Sequence, residues 1–158
     1  MKKILIILSV ATLLLDPFKI LAQDNDLMEL AKIKKGITSK RISSYDQSGG
    51  NNDRLENIPD GETRTLFDVK GSGIINHIWI TIAPPPQYLN RNNIILRMYW
   101  DGNDYPSVES PIGPFFGQGW DESYHFNSLP LSANPVEGRA LVSYFKMPFQ
   151  KPIQLIID

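Results

Sequence analysis

The chain has 158 residues, of which 42% are hydrophobic and 21% are charged, and its formal net charge is −1 at pH 7. This balance is typical of one globular domain, and the lack of a long basic run argues against a groove for nucleic acid or an anionic membrane surface. The chain has no cysteine, which excludes disulfide bonds and a lipid-modified cysteine. A neutral polar partner fits this composition better.

The first 22 residues have the layout of a secretory signal peptide. Lys2 and Lys3 precede an apolar run over residues 4–15, and Ala22 is a small residue after which cleavage can occur. The run is too short to cross a bilayer as a helix. We therefore expect a secreted or periplasmic protein whose signal peptide is cleaved near Ala22.

Residues 23–42 are predicted to form a short helical segment ahead of the main domain. Asp26 is placed to cap a helix, and Glu29 is placed to complete a capping box. Lys35 suits the negative end of the helix dipole, and Gly36 can end the helix. We assign this segment no function.

Residues 43–53 have the sequence SSYDQSGGNND and show no hydrophobic periodicity. Glycine, asparagine, aspartate and serine dominate surface turns, because they tolerate unusual backbone angles and form local hydrogen bonds. The same residues can form a binding loop whose carboxylates and amides hydrogen-bond sugar hydroxyls. A phosphate-binding loop is not indicated, because neither the glycine spacing nor a lysine matches that motif.

From Glu62 onward, short runs of alternating hydrophobic residues predict strands. Within residues 94–100, Leu96 and Met98 share one face of a strand whose other face carries Arg97. An Asp-Gly turn, a strong hairpin signal, then leads to a return strand. The predicted strands cover residues 63–69, 74–82, 94–100, 106–109, 139–146 and 153–157, and residues 129–138 are predicted to be a connection.

These strands, joined by Gly, Pro and Asn turns, predict an all-β jelly-roll or β-sandwich domain over residues 43–158. The strand at 74–82 is expected to be continuous, with Ile74 and Ile78 on one face. The chain stops within the last predicted strand, Ile153–Ile157. We therefore expect a domain that is truncated at its C-terminus, with the apolar side chains of that strand left exposed.

The sequence offers little for metal chemistry. His77 and His125 are the only histidines and neither has a ligand-spaced partner, so we expect no metal and no other cofactor. Asp101, Asn103 and Asp104 could hold calcium, but they fit a hairpin turn first and lack the spacing of an EF-hand. The remaining candidates for chemistry are carboxylates in or beside loops, namely Asp46, Asp53, Asp101, Glu109, Asp121 and Glu122.

Five blocks of the sequence, taken in order, resemble a known family. They are SSYDQSGGNND at 43–53, GSGIINHIW at 71–79, LRMYWDG at 96–102, PSVESPIG with a following FG at 106–117, and YFKMPF at 144–149. Together they are similar to the N-terminal part of glycoside hydrolase family 172, first catalogued as domain of unknown function 2961. The resemblance implies a jelly-roll β-sandwich that assembles as a trimer or hexamer. It also implies retaining chemistry on α-fructofuranosyl or α-arabinofuranosyl linkages through two glutamates.

The same resemblance implies that this chain lacks the catalytic pair, because the family's block similar to Gly-Thr-Gly-Thr-Glu-Asp-Tyr-Phe does not occur before Asp158. We therefore expect no catalytic residue and no cofactor here. The expected partner is a furanoside oligosaccharide, not nucleic acid or, after signal cleavage, a membrane, and the full-length protein is expected to be a homo-oligomer. Nine residues are carried over as substrate-binding positions: Tyr45, Asp46, Gly49, Gly50, Asn51, Asp53, Glu109, Phe116 and Gly117.

The resemblance favours the binding-loop interpretation of residues 43–53 over a plain turn. In a complete enzyme these residues would orient ring hydroxyls through hydrogen bonds that strengthen in an oxocarbenium-like transition state. The alternative is a non-catalytic sugar-binding or oligomer-assembly β-sandwich. The sugar-binding interpretations expect residues 43–53 and the segment around Glu109 to form one wall of a furanose cleft.

Overall fold

The computed structural model describes residues 31–56, 58–82 and 90–158. The predicted signal peptide and the start of the predicted helix lie outside the described residues. The end of that predicted helix, residues 31–36, consists of turns and irregular backbone.

The chain divides into two compact units, Met1–Lys40 and Arg41–Asp158. The described part of the first unit is irregular and exposed to solvent. The described part of the second unit consists of short antiparallel strands with one helical turn and one 3₁₀ turn, and it holds no helix long and apolar enough to span a bilayer. The elements are β1 (Arg64–Val69), β2 (Gly73–Ile75), β3 (Ile78–Thr81), β4 (Ile95–Tyr99), β5 (Val108–Pro111), α1 (Ile112–Phe115), β6 (Phe126–Asn127), β7 (Leu131–Asn134), the 3₁₀ turn (Val136–Gly138), β8 (Ala140–Ser143), β9 (Met147–Phe149) and β10 (Ile153–Ile157).

The strands form three antiparallel sheets. Sheet A has the order β1-β10-β4-β5, sheet B pairs β2 with β9, and sheet C has the order β3-β8-β7-β6. Sheets A and C share one hydrophobic core, which includes Leu96, Met98 and Leu155 from sheet A and Ala133 and Leu141 from sheet C. Each large side chain enclosed there contributes about 1.5–3 kcal/mol of hydrophobic stabilisation. The predicted all-β, sandwich-like fold is therefore confirmed.

Strand β4, in the middle of sheet A, follows its predicted alternation. Leu96 and Met98 have no exposed surface and face the core. Ile95, Arg97 and Tyr99 are half-buried on the opposite, outer face of the sheet. Because a β-strand turns successive side chains to opposite faces, the apolar pattern alone predicts which residues this strand presents outward.

The Asp-Gly turn after β4 also forms as predicted, since Asp101 and Gly102 have φ angles of 55° and 76°. The return strand begins later than predicted, at Val108. The Asp101 carboxylate accepts hydrogen bonds from the backbone N–H groups of Lys151 and Gln150, both at 2.8 Å. These donors, that of Lys151 foremost, lower the pKa of Asp101. This anchoring supports the turn interpretation of the segment.

The predicted continuous strand over residues 74–82 is wrong. The chain leaves sheet B after Ile75 and enters sheet C at Ile78. Ile74 is 55% exposed, whereas Ile75 is 8% exposed and belongs to the core. Because β2 and β3 pair with different partners, the inward-facing positions shift by one residue between them. Strict alternation along one strand does not predict such a shift.

The expected exposure of the last strand is also wrong. β10 lies inside sheet A and pairs with β1 on one side and with β4 on the other. Ile153 and Leu155 are 1% and 4% exposed, and Ile157 packs against the core. Strands from much earlier in the sequence supply the pairing on both sides, so β10 has no free edge.

Three strands, β6, β7 and β9, lie where the sequence predicts none. β7 occupies part of the predicted connection at 129–138, and β9 follows the strand predicted at 139–146. β9 contains Pro148, which is tolerated because, among the residues that the structure describes, sheet B consists of two strands and both are edges. β7 is short, yet it pairs on both sides with β6 and β8. Pairing partners, rather than local propensity, make these segments strands.

Candidate functional site

Residues 46–53 form a compact loop that is held together by its two aspartates. The Asp46 side chain accepts hydrogen bonds from the Ser48 hydroxyl (2.6 Å), the Ser48 N–H (2.9 Å) and the Asn52 N–H (3.1 Å). Asp53 closes the loop from the other end, because its carboxylate accepts the Asp46 N–H at 2.7 Å. Both carboxylates, which the sequence presents as ligand-binding groups, therefore also set the geometry of the loop.

These hydrogen bonds stabilise the charged form of Asp46. The Ser48 hydroxyl contributes most, followed by the N–H groups of Ser48 and Asn52, and together they hold the pKa of Asp46 below its usual value. Asp46 is therefore ionised at neutral pH. It can act only as a hydrogen-bond acceptor there.

Two glycines and an asparagine allow the loop to close. Gly49 and Asn51 have φ angles of 77° and 63°, in the left-handed region that these two residue types tolerate best. A Cβ atom at Gly50 would lie 2.8 Å from Oδ2 of Asp46, so a larger residue would displace the carboxylate. The groups left on the surface include the Tyr45 ring, which is 62% exposed, and the amide of Asn51.

Glu109 lies on the outer face of sheet A in a cluster of three charged side chains. The register of β4 and β5 places Arg97 opposite Glu109, and Nε of Arg97 donates to Oε2 of Glu109 at 2.8 Å. A second nitrogen of Arg97 is hydrogen-bonded to Asp158, directly after β10. The two carboxylates, Asp158 foremost, raise the pKa of Arg97. The Glu109 side chain is 56% exposed, so a ligand on this face can reach it.

Phe116 belongs to the core and not to an open surface. Its side chain has no exposed area and packs edge-on against Phe115, with ring centroids 4.9 Å apart. Gly117 has a φ angle of 85°, and a Cβ atom there would lie 2.5 Å from the Phe126 ring. In this structure both residues hold the segment after α1 against the core. Their direct contact with a ligand stays a prediction.

A buried polar network behind this segment has no counterpart among the sequence predictions. Gln118 is 1% exposed, and its Nε2 donates to the carbonyl oxygens of Tyr124 (2.8 Å) and Gly138 (3.2 Å). Arg91 donates to the side-chain oxygen of Gln118 and, at 2.9 Å, to the carbonyl of Gly138. The Tyr124 hydroxyl donates to the Gly117 carbonyl at 2.7 Å. The network therefore joins three parts of the chain, namely residue 91, residues 117–124 and residue 138.

This network carries a half-buried positive charge. The acceptors of Arg91 in it are uncharged amide and carbonyl oxygens, and burial lowers the pKa of Arg91. Gly138 has a φ angle of 58°, and a Cβ atom there would overlap the Tyr124 carbonyl. One sequence signal points to this arrangement. Gln118 directly follows Gly117, and a glycine at that point indicates backbone that comes close to a neighbouring group.

The outer face of sheet A also carries a shallow cleft of about 230 Å³. This is below the range of about 300–1,000 Å³ that is usual for pockets enclosing drug-sized ligands. The cleft adjoins the charged cluster, because Tyr99 lies two residues beyond Arg97 on the same face of β4. Its lining consists of Asp68, Tyr99, Gly102, Asn103, Pro152, Ile153 and Gln154.

The nine predicted substrate-binding residues therefore fall into three groups. One is the loop of residues 45–53, the second is Glu109 on sheet A, and the third is Phe116 with Gly117 after α1. The second and third are linked through the chain, because α1 follows β5 directly. That the loop and the segment around Glu109 form one wall of a furanose cleft stays a prediction.

Within residues 31–56, 58–82 and 90–158, no group of three or more His, Asp or Glu side chains is arranged to hold a metal ion. His77 is exposed and stacks on Tyr144, with ring centroids 5.1 Å apart.

Comparison with known proteins identifies the family. A family model described as GH172 domain-like matches residues 51–157, which is well over half of the chain. No match was found among curated proteins. The matched segment contains Glu109, Phe116 and Gly117, whereas Tyr45 and Asp46 precede it. The chain therefore belongs to the GH172 domain-like family, a family of carbohydrate-active proteins.

Proposed function

We propose that this chain is the sugar-recognition part of an exported, retaining hydrolase of α-furanosides. It binds fructofuranosides or arabinofuranosides and does not cleave them by itself. The observation that carries the proposal is the loop of residues 46–53. Three of its backbone N–H groups donate to the carboxylates of Asp46 and Asp53, and the Ser48 hydroxyl donates to Asp46 as well. Membership in a carbohydrate-active family supports it.

The loop suits an uncharged, hydroxyl-rich ligand. Tyr45 offers an exposed ring for stacking on a sugar face, and Asn51 offers an exposed amide that can both donate and accept. Asp46 and Asp53 act as positioning residues, because their carboxylates hold the backbone of the loop. A loop that is ordered before the ligand arrives loses less conformational entropy on binding.

Glu109 supplies a second anchor in this proposal. Its carboxylate is held in a defined direction by Arg97 and is more than half exposed, so it can accept a hydrogen bond from a ring hydroxyl. In the complete enzyme, contacts of this kind would orient the furanose and strengthen as positive charge develops on the ring.

The proposal assigns no hydrolysis to the chain alone. Retaining glycoside hydrolysis uses two carboxyl groups about 5–5.5 Å apart, one as nucleophile and one as acid and base. The resemblance places the family's glutamate pair downstream of these 158 residues, with one of the two in a block that they do not contain. Incubation with 4-nitrophenyl α-L-arabinofuranoside should therefore release no nitrophenolate above a buffer blank.

Calorimetry tests the binding. The full chain is titrated with methyl α-D-fructofuranoside and with methyl α-L-arabinofuranoside, and Tyr45→Ala should weaken binding about tenfold. Asp46→Ala should also weaken it, because the loop loses its internal acceptor. Tyr105→Ala is the matched control, since Tyr105 is 83% exposed in the β4–β5 connection. A folded chain that binds neither glycoside, or equal losses in both tyrosine variants, would refute the proposal.

Export and assembly are part of the same proposal. Mass spectrometry of the protein from periplasmic and culture fractions should find an N-terminus near Gln23, and an uncleaved N-terminus in every fraction would contradict export. Light scattering of the full-length protein should find a trimer or hexamer, as the resemblance implies. A monomer at micromolar concentration would contradict assembly and leave the sugar-binding proposal standing.

A further inference from the structure

We infer that the outer face of sheet C is a second carbohydrate-binding surface, which takes an uncharged oligosaccharide or polysaccharide chain. This face is turned away from the core that sheets A and C share. Glu109, by contrast, lies on the outer face of sheet A. The inference goes beyond the proposed furanoside site, because it concerns different residues and a polymeric ligand.

The register of sheet C arranges its outward side chains in rows across the strands. Successive residues of a strand alternate between faces, so cross-strand partners of an outward residue also point outward. One row is Trp79, Val142, Ser132 and Asn127, from β3, β8, β7 and β6, and the next row is Thr81, Ala140 and Asn134.

The first row has the profile of a groove. Trp79 at one end is 57% exposed and Asn127 at the other end is also exposed, whereas Val142 between them is 8% exposed. Val142 therefore forms the floor, and Trp79 and Asn127 form opposite rims. Neighbouring strands lie about 4.8 Å apart, so the four strands span roughly 14 Å. That width accommodates a short stretch of a sugar chain laid across the sheet.

One rim of the groove is aromatic. Tyr144, directly after β8, is 56% exposed and stacks on His77, with ring centroids 5.1 Å apart and planes inclined by 29°. His77 directly precedes β3, so its ring continues the rim formed by Trp79, and Tyr144 lies beside it at the end of the strand that carries Val142. Exposed rings of this kind present flat apolar surfaces that match the C–H faces of sugar rings.

The other rim carries fixed amides. Nδ2 of Asn134 donates to Oδ1 of Asn127 at 2.7 Å, which orients both side chains. Each amide can make further hydrogen bonds with its remaining donor or acceptor groups, as sugar hydroxyls require. An aromatic rim facing a polar rim is the combination that an amphipathic sugar ring needs.

The composition of the rows also selects the ligand. None of their seven side chains is charged, so they offer nothing to pair with a phosphate or a carboxylate. Four of the seven carry hydroxyl or amide groups, namely Ser132, Asn127, Thr81 and Asn134. A lasting contact with a second copy of the chain favours a more apolar patch. The face therefore fits an uncharged glycan better than a protein partner.

Affinity electrophoresis of the full chain in gels containing inulin or linear arabinan tests this inference. Wild-type migration should be retarded, and Trp79→Ala should weaken the apparent affinity about tenfold. Asn127→Ala on the opposite rim should weaken the apparent affinity as well. This second variant keeps the inference testable if the tryptophan variant fails to fold. Trp120→Ala is the matched control, because this indole is 86% exposed and lies outside sheet C. The control should migrate as wild type.

The outcomes separate this inference from the proposed function. Polymer retardation that depends on Trp79 and not on Tyr45 supports it, even if the small furanosides fail to bind. Retardation that depends on Tyr45 alone overturns it and leaves the furanoside site standing. An unretarded wild-type chain overturns it too. The inference is also overturned if Trp79→Ala changes the oligomeric state and leaves the affinity for the polymer unchanged, because the face would then be a contact between subunits.

Discussion

Replacing Leu155 by alanine should destabilise the folded domain by about 2–5 kcal/mol. Leu155 is 4% exposed in β10, and its cross-strand partners in sheet A are Phe67 and Met98. The change removes three carbon atoms, worth roughly 2.4 kcal/mol at about 0.8 kcal/mol each. The cavity that remains adds to this loss, because residues paired on both sides cannot relax fully into the space.

Urea unfolding followed by tryptophan fluorescence and by circular dichroism measures this effect through linear extrapolation. Thermal unfolding provides a second measurement. For a domain of this size, 1 kcal/mol corresponds to roughly 4 °C in melting temperature, so the melting temperature should fall by about 8–20 °C. Ile74→Ala is the control, because Ile74 is 55% exposed in β2 and its truncation should cost less than about 1 kcal/mol. A Leu155→Ala variant as stable as this control would refute the placement of β10 inside sheet A.

Acid should loosen the loop around Asp46. Because folding lowers the pKa of Asp46, the stabilisation is complete above the ordinary aspartate value of about 3.9 and is lost as the pH falls through the lower folded value. In an NMR titration, the chemical shift of the Ser48 amide proton should change as this stabilisation is lost. Gly138→Ala should cost about 2 kcal/mol or more in thermal unfolding, because the new methyl group would overlap a backbone carbonyl at a positive φ. Gly119→Ala, with open space around it, should be nearly neutral. Glu109→Gln should cost less than about 1 kcal/mol in urea unfolding, since its pair with arginine is partly exposed.

The outcomes of the Gly138 and Glu109 substitutions test different parts of the site. A stable Gly138→Ala variant would contradict the tight packing around Gln118. A large loss of stability on Glu109→Gln would show that the charged cluster on sheet A is structural. That result would weaken the case for Glu109 as a sugar-binding residue.

Much of the candidate loop was predictable from residues 43–53 themselves. Its hydrogen bonds connect residues at most seven positions apart, so residue type and spacing determine it. Its chemistry was less predictable. The sequence suggests that Asp46 and Asp53 face the ligand, whereas in the structure their carboxylates hold the loop. Composition shows which groups are available, but not which of them the backbone already uses.

The all-β class, the alternation of β4 and the turn at Asp101 follow from the order of the residues, because each depends on neighbours along the chain. The position of β10 between β1 and β4, the burial of Phe116 and the contact of Arg91 with Gln118 across 27 positions depend on the folded chain as a whole. Pairing between distant strands and burial between sheets depend on which segments meet in space. No local pattern encodes that choice, and it is this choice that gives sheet C its outward row from Trp79 to Asn127.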